Sequence, residues 1–444
     1  MSLPRYPRYQ DSGVSWIGQV PAHWRVDRFK ASVADARNGI WGDEPAGDET
    51  DIACVRVADF DRARLKVKPV IPTIRSVSEK ERKGRVLKAG DLLLEKSGGG
   101  ESQPVGQVVL FLGDEPAVCS NFVARVELKA GMVPRYWNYA HSAAYAVGVN
   151  VGAINQTSGI QNLDQQRYFN ERAPFPPEDE QTAIATFLDH ETAKIDGLIA
   201  EQEKLIALLA EKRQATISHA VTRGLNPQAP MRDSGVPWLG EVPAHWQVVR
   251  LGALFRQVNM PGDASLPVLS VSIHDGVSDK ELDESEMDRK VSRSEDRSKY
   301  KAVLPGDLTY NMMRAWQGGF GSVTVEGMVS PAYVVARPTA DFLTSHVEHI
   351  LRTPNAVAEM KRHSRGITDF RLRLYWEEFK TIQIALPPMA EQNSIAHHIQ
   401  GTTQRFDALA SEAERGIDLL RERRSALIAA AVTGQIDVRG FTAA

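Results

Sequence analysis

Hydrophobic and polar positions follow two rhythms in this 444-residue chain, and the pair of rhythms occurs twice. Residues 178–221 and 391–432 contain no proline, follow a Pro-Pro pair and are rich in Ala, Leu, Glu, Lys and Arg, so each stretch predicts one uninterrupted helix. Such a helix of about 44 residues would be roughly 66 Å long. In the first, Ile184, Leu188, Ile195, Leu198, Leu205 and Leu209 recur at steps of three and four through Glu191 and Gln202, the spacing of a heptad seam. In the second, Ile395, Ile399, Phe406, Leu409 and Leu420 occupy matching places 211 residues later. The shared register predicts that the two helices meet each other as an antiparallel pair. Elsewhere the pattern is short and strand-like, bounded by Gly-Asp or Gly-rich turns: 52–57, 86–94, 105–112 and 121–128 in the first half, and 268–273, 307–311, 321–325 and 332–336 in the second. Shorter helices are expected over 136–147 and 343–363.

The repetition extends to the residues themselves. Asp11-Ser-Gly-Val-Ser-Trp-Ile-Gly-Gln-Val-Pro-Ala-His-Trp24 returns as Asp233-Ser-Gly-Val-Pro-Trp-Leu-Gly-Glu-Val-Pro-Ala-His-Trp246, eleven of fourteen positions identical at an offset of 222. Phe175-Pro-Pro-Glu-Asp-Glu-Gln181 returns as Leu386-Pro-Pro-Met-Ala-Glu-Gln392 at an offset of 211. A period above 200 residues means duplicated domains, because solenoid units are far shorter. The expected fold class is therefore α+β: two mixed α/β domains separated by a pair of long antiparallel helices, with pseudo-two-fold symmetry. The boundaries read as a first domain at 1–175, a long helix at 176–224, a second domain at 225–386, a second long helix at 387–434 and a tail at 435–444.

Composition narrows the function. The chain has 53 Lys plus Arg against 56 Asp plus Glu, a formal net charge of -3, so any nucleic-acid surface must be local. Two cysteines, Cys54 and Cys119, are too few for a secreted disulfide framework and too far apart for a zinc knuckle or a CxxC pair. No window of about 18 apolar residues exists, and residues 1–10 have no apolar signal core. A cytoplasmic protein is expected.

Several chemistries are missing from the sequence. Gly98-Gly-Gly-Glu101 and Gly318-Gly-Phe-Gly321 lack the lysine of a phosphate-binding loop, and the Pro-Pro pairs lack the leading Asn or Asp of an adenine methyltransferase. His346-Val-Glu-His349 fits neither zincin spacing, and His397 and His398 point to different sides of a helix. No catalytic residue and no metal site is predicted. His23 and His245, once per half, read as parts of a structural clasp built from the repeated tryptophans and prolines. Polar clusters on turns remain as candidate DNA contacts, because Arg, Asn, Gln and Thr can match base edges or hold phosphate. They are Arg85, at the end of the basic run Lys80, Arg82, Lys83, then Lys96, Ser97, Gln156, Thr157, Gln161 and Asn162 in the first half. In the second half they are Asn311, Arg314, Trp316, Gln317, Arg362, Arg365, Thr368, Arg371 and Arg373. Any one cluster reads equally well as a solvated loop. An Arg-Leu-Arg-Leu strand places Arg371 and Arg373 on one face, where they would meet bases or pair with Glu377 and Glu378.

Taken together, the duplicated opening, Lys88-Ala-Gly-Asp-Leu-Leu-Leu-Glu-Lys-Ser-Gly-Gly-Gly100, Leu304-Pro-Gly-Asp-Leu-Thr-Tyr-Asn311, Val329-Ser-Pro-Ala-Tyr-Val334 and Pro-Pro-x-x-Glu-Gln before each helix resemble the specificity subunits of type I restriction-modification systems. The resemblance covers essentially the whole chain. It implies two target recognition domains, each reading half of a bipartite DNA sequence at a spacing set by the helix pair. It implies partners as well: two modification subunits that use S-adenosylmethionine to methylate adenine, and restriction subunits that use ATP and magnesium. The chain itself would then hold no cofactor. Exposed charges on the helices, including Glu201, Lys204, Glu211, Lys212 and Arg423, would be docking surface or merely solvated. The alternative is a stand-alone duplicated DNA-binding or scaffold protein without a methyltransferase partner.

Overall fold

Each long helix starts where a Pro-Pro pair makes its own backbone incompatible with helix, and ends at a glycine. In the computed structural model, which describes residues 4–100, 103–157, 159–263, 265–273, 276–282, 299–366 and 372–441, these helices are Glu178–Arg223 and Met389–Val432, of 46 and 44 residues. Glu178, Asp179 and Glu180 give the first an acidic opening turn, matched to the helix dipole. Gly224 (φ +75°) and Gly434 (φ +72°) then turn the chain through the left-handed region that side chains avoid. The chain divides into two compact units, Met1–Glu203 with Glu414–Ala444, and Lys204–Ala413, so each helix contributes one part to each unit.

In the first unit the early part of the first helix packs against the late part of the second. Ile184 and Leu188 share a core with Ile428, Ala431 and Val432, and Asp196 pairs with Arg424 at 3.0 Å. The second unit has the corresponding contacts: Ala220 and Val221 share a core with Ile395 and Ile399, and Arg213 lies 3.8 Å from Asp407.

The buried stripe departs from the heptad expectation. Ile184, Leu188, Ile195, Ile395 and Ile399 are buried, and Leu209, Phe406 and Leu420 are half-buried, but Leu198, Leu205 and Leu409 are exposed by 54%, 43% and 54%. Ile199 and Ile206 take the covered positions instead, and Ala413 and Ile417 join them in the second helix. Adjacent apolar pairs such as Leu198-Ile199 and Leu205-Ile206 allow a heptad to be counted through either member. A straight helix drifts about 20° per heptad, enough over several turns to move the seam to the neighbour.

The mixed domains carry a common four-strand antiparallel order. In the first unit, Val33–Asn38, Val123–Leu128, Leu92–Glu95 and Val108–Leu110 are neighbours in that sequence within a six-stranded sheet. In the second unit the order is Phe255–Val258, Tyr333–Pro338, Leu308–Asn311 and Phe320–Ser322. Period-2 burial explains these strands: Leu92 and Leu94 face one core while Leu93 faces another. The strand expected over 86–94 begins only at Leu92, because Asp91 accepts from the Lys88 backbone N–H at 2.8 Å and closes a turn there. Asp307 does the same for Leu304 at 2.9 Å. Of the strand expected over 268–273, only Val271–Ser272 forms, paired with Gly276–Val277. The helix expected over 343–363 is two, Thr344–Leu351 and Pro354–His363, since Pro354 holds Thr353 in extended backbone. The other short helix is Pro134–Ala146.

Candidate nucleic-acid interface

Both halves position their polar loops with the same two fasteners, and the repeated motifs are what build them. Glu180 and Gln181, neighbours in Pro-Pro-x-x-Glu-Gln, hold different parts of the unit. The Glu180 carboxylate accepts from Trp24 Nε1 at 2.8 Å and Tyr6 Oη at 3.0 Å, and lies 2.6 Å from His23 Nε2. The Gln181 amide accepts from the Val133 backbone N–H at 2.9 Å and donates to the Pro176 carbonyl at 3.0 Å, pinning the start of Pro134–Ala146 to the Pro-Pro corner. In the second unit Glu391 takes His245 Nε2 at 2.7 Å and Trp246 Nε1 at 3.2 Å. Gln392 accepts from Leu343 N–H and donates to the Pro387 carbonyl, each at 2.9 Å. A buried indole N–H needs an acceptor, and losing the carboxylate would cost roughly 1–3 kcal/mol for each donor left unpaired. The two histidines thus belong to the clasp. The Asp-Ser-Gly turn that opens each motif is held by its own side chains, with Asp11 accepting from Gly13 N–H at 2.9 Å and Asp233 from Gly235 N–H at 3.0 Å.

A second fastener lies in each sheet. Buried Asp91 takes a bidentate contact from Arg125 (2.6 and 3.2 Å), and buried Asp307 takes one from Arg337 (2.8 and 2.8 Å). Sequence reasoning missed both pairs, although Gly-Asp-Leu at 90–92 and 306–308 was their signal.

On this common frame the exposed loops differ. In the first unit a hairpin, Ile154–Thr157 with Ile160–Leu163, is extended by Ser97–Gly98 into a three-stranded sheet. It brings Ser97 and Asn162 together, hydroxyl to amide oxygen at 2.6 Å, and carries Gln156 and Thr157 on its first strand. Lys96 precedes it and donates to Asn38 Oδ1 at 2.6 Å, and partial burial holds its ammonium below the usual lysine pKa. Arg85 donates to the Asn38 carbonyl at 3.2 Å, so Arg85 and Lys96 share one neighbour. Gln161 does not join this surface: it is buried, and its oxygen accepts from the Val105 N–H at 3.2 Å. Asn38 and the adjacent Arg37 were not singled out from the sequence, where they lie in a segment without a motif.

In the second unit three separate sequence clusters form one surface. The Ala315–Gln317 turn packs on helix Pro354–His363, with Lys361 Nζ 5.3 Å from the centre of the Trp316 ring. The backbone of Arg373 pairs with that of Arg365, and Leu374 N–H donates to the Met312 carbonyl at 2.9 Å. Asn311 Oδ1 accepts from Met313 N–H at 3.0 Å and shapes the turn that presents half-buried Arg314 and exposed Gln317. Arg362 is held by Glu359 at 2.6 Å, and Arg365 by Glu378, while Glu377 takes Lys380. Arg373 is exposed between buried Leu372 and Leu374, the alternation of a strand. Thr368 and Arg371 lie outside the described residues. Exposed Met313 and Tyr375 add apolar area to the same surface.

Among the described residues no three His, Cys, Asp or Glu side chains group as a metal site requires, and no helix is long and apolar enough to cross a membrane. A frame used twice, carrying two dissimilar polar faces, gives the chain its mixed α/β architecture. No protein-family model matches the chain. It is 23% identical over 242 residues to a putative type I restriction enzyme specificity subunit (MjaX) of Methanocaldococcus jannaschii, covering 53% of each protein. It is 21% identical over 309 residues to the EcoKI specificity subunit of Escherichia coli K12, covering 64% of this chain and 62% of that one. The chain thus spans about half the length of the first relative and under two thirds of the second. Solved structures match over nearly the whole chain. The HsdS subunit of Thermoanaerobacter tengcongensis superposes with a TM-score of 0.51 at 15% identity, covering 94% of this chain and 98% of that one. A chain from a study of complex assembly and conformational transition of a type I restriction-modification system gives a TM-score of 0.61 at 16% identity, covering 93% and 98%. The chain has the fold of these solved structures and resembles type I specificity subunits in sequence.

Proposed function

We propose that this protein is the DNA sequence-specificity subunit of a type I restriction-modification complex and performs no reaction itself. Each unit's polar face reads one half of a bipartite duplex target. The two long helices run antiparallel as a spacer between the recognition domains, giving the chain pseudo-two-fold symmetry, and their exposed charges, such as Glu201, Lys204, Glu211, Lys212 and Arg423, dock two modification subunits. S-adenosylmethionine, ATP and magnesium belong to the modification and restriction subunits, and the complex works in a prokaryotic cytoplasm. The observation that carries this reading is the combination of repeated fasteners, Glu180–Gln181 with Glu391–Gln392 and Arg125–Asp91 with Arg337–Asp307, and unlike surface loops. A protein that reads two different words with one mechanism needs a constant frame and variable edges.

Co-expression with a type I modification (adenine methyltransferase) subunit from the same genome tests the proposal. The chain should co-purify with that enzyme and direct methylation to one split sequence in a methylome. A chain that binds duplex DNA tightly by itself and captures no methyltransferase would be the stand-alone protein instead.

A further inference from the structure

We propose that Arg37, Arg85 and Lys96 of the first unit form a seat for one phosphate of the DNA backbone, built around Asn38. The proposal rests on the DNA-reading function and assigns this place a role that carries no base information.

Asn38 ends the edge strand Val33–Asn38 and is held from two sides. Its backbone carbonyl accepts from Arg85 Nε at 3.2 Å, and its amide oxygen accepts from Lys96 Nζ at 2.6 Å. Arg85 also donates to the Glu81 carbonyl at 2.9 Å. Both cations are thereby oriented by neutral acceptors, and among the described residues neither makes an ion pair. The third cation, Arg37, lies against Gly84, where a side-chain carbon would come within 2.0 Å of Nη1, so the residue beside Arg85 leaves room for it.

The nearby carboxylates are committed elsewhere. The exception is Asp35, which pairs with Arg37 Nε at 2.7 Å and leaves that guanidinium's remaining N–H groups as the weakest of the three contributions, whereas Glu81 accepts from Ser78 Oγ at 2.6 Å. Asp91 is buried against Arg125, and Asp164 accepts from the N–H groups of Gln166 and Arg167 at 3.0 Å. Residues 79–88 add exposed Lys80, Lys83 and Lys88 to the same side of the balance, five cations against two carboxylates. The ammonium of Lys96 is partly desolvated, which lowers its pKa and means that an anion arriving there would restore what burial removed.

A phosphodiester fits the chemistry better than a base edge. It accepts from a guanidinium fork and an ammonium at once, and its charge is uniform along the duplex. The polar hairpin of Ser97 and Asn162 follows Lys96 directly, so a phosphate held here would set the register for groups that do reach base edges.

The test compares the full-length chain in complex with its modification subunits against the same complex carrying Arg85→Ala/Lys96→Ala or Lys96→Arg, using two labelled duplexes: one selected by the wild-type complex from a random pool, and one of random sequence. The double variant should bind both duplexes more weakly by the same factor, on the order of tenfold, and the slope of log affinity against log salt should become less negative by about two. Lys96→Arg, which keeps the charge, should retain nearly full affinity. Unchanged affinity and slope in the double variant would overturn the phosphate seat. So would a loss confined to the selected duplex at an unchanged slope, which is the signature of base reading. A wild-type complex that binds neither duplex would sink the DNA-reading function first, and this site with it.

Discussion

Several single residues in this protein act as fasteners between elements distant in sequence. Glu180 and Gln181 were visible in the sequence only as part of a repeated string, and their separate partners, an indole with two ring side chains and a helix start, emerge only from the fold. Candidate contacts divided in the same way. Gln161 looked like its exposed neighbour Asn162 but is spent on the Val105 backbone, because alternate residues of a strand face opposite sides. His346 is the clearest residue that neither motif nor charge could explain. It is buried, neither ring nitrogen has a partner among the described residues, and burial, with His349 beside it, pushes its pKa down to about 4. In the folded chain the ring stays neutral while the unfolded chain takes up a proton near pH 6.5, so stability is present above that value and is lost as pH falls from about 6.5 toward about 4. Each pH unit in that window costs up to roughly 1.4 kcal/mol. Replacing the ring in His346→Leu should flatten this part of the pH dependence and leave stability at pH 7 equal or higher, since it removes an unpaired polar group. Urea midpoints for both proteins at pH 7 and 5 measure the difference, and parallel losses would mean that His346 does not drive it.

At the level of elements, the long helices were legible nearly to their ends, because composition, the Pro-Pro stop and the absence of proline all pointed one way. Their covered face was not, since neighbouring apolar residues offered two seams and packing chose Ile199 and Ile206 over Leu198 and Leu205. Short strands were found in place but trimmed by turns such as Lys88–Asp91, where a side chain competes for the backbone. The helix ends make a sharper comparison. A side-chain carbon at Gly434 would sit 2.3 Å from Pro21 Cδ and 3.0 Å from the Trp24 ring, neither of which can move. At Gly224 the nearest atom is Glu391 Oε1 at 2.9 Å, the end of a flexible side chain. Both positions have positive φ, so alanine strains each, but Gly434→Ala should destabilise by about 2–4 kcal/mol and Gly224→Ala by about 1. Thermal denaturation of the two variants checks the order, and equal shifts would show that backbone conformation alone sets the cost.

For the whole molecule, the net charge of -3 says little about a chain whose repeated frame is separate from its exposed polar faces. The two faces were not derivable as surfaces: residues 311–317, 361–365 and 372–375 are distant in sequence and meet only because Leu374 and Arg373 fold back onto the other two. If the frame is constant and the edges variable, exchanging residues 40–165 for the matching segment of another specificity subunit should change one half of the methylated sequence and preserve the other half and the gap. Methylome sequencing reads this directly, and altered bases in both halves would contradict it. One unit is contiguous, Lys204–Ala413, while the other joins Met1–Glu203 to Glu414–Ala444. In the discontinuous unit the late residues seal the early ones: Asp437 N–H donates to the Pro4 carbonyl at 2.8 Å, Arg439 lies over Tyr6, and Phe441 packs edge-on against Phe187. On a translating ribosome the second unit therefore has all its parts once Ala413 emerges. The first must wait, with Ile184 and Leu188 uncovered, until synthesis delivers the helix turn that carries Ile428 and Val432.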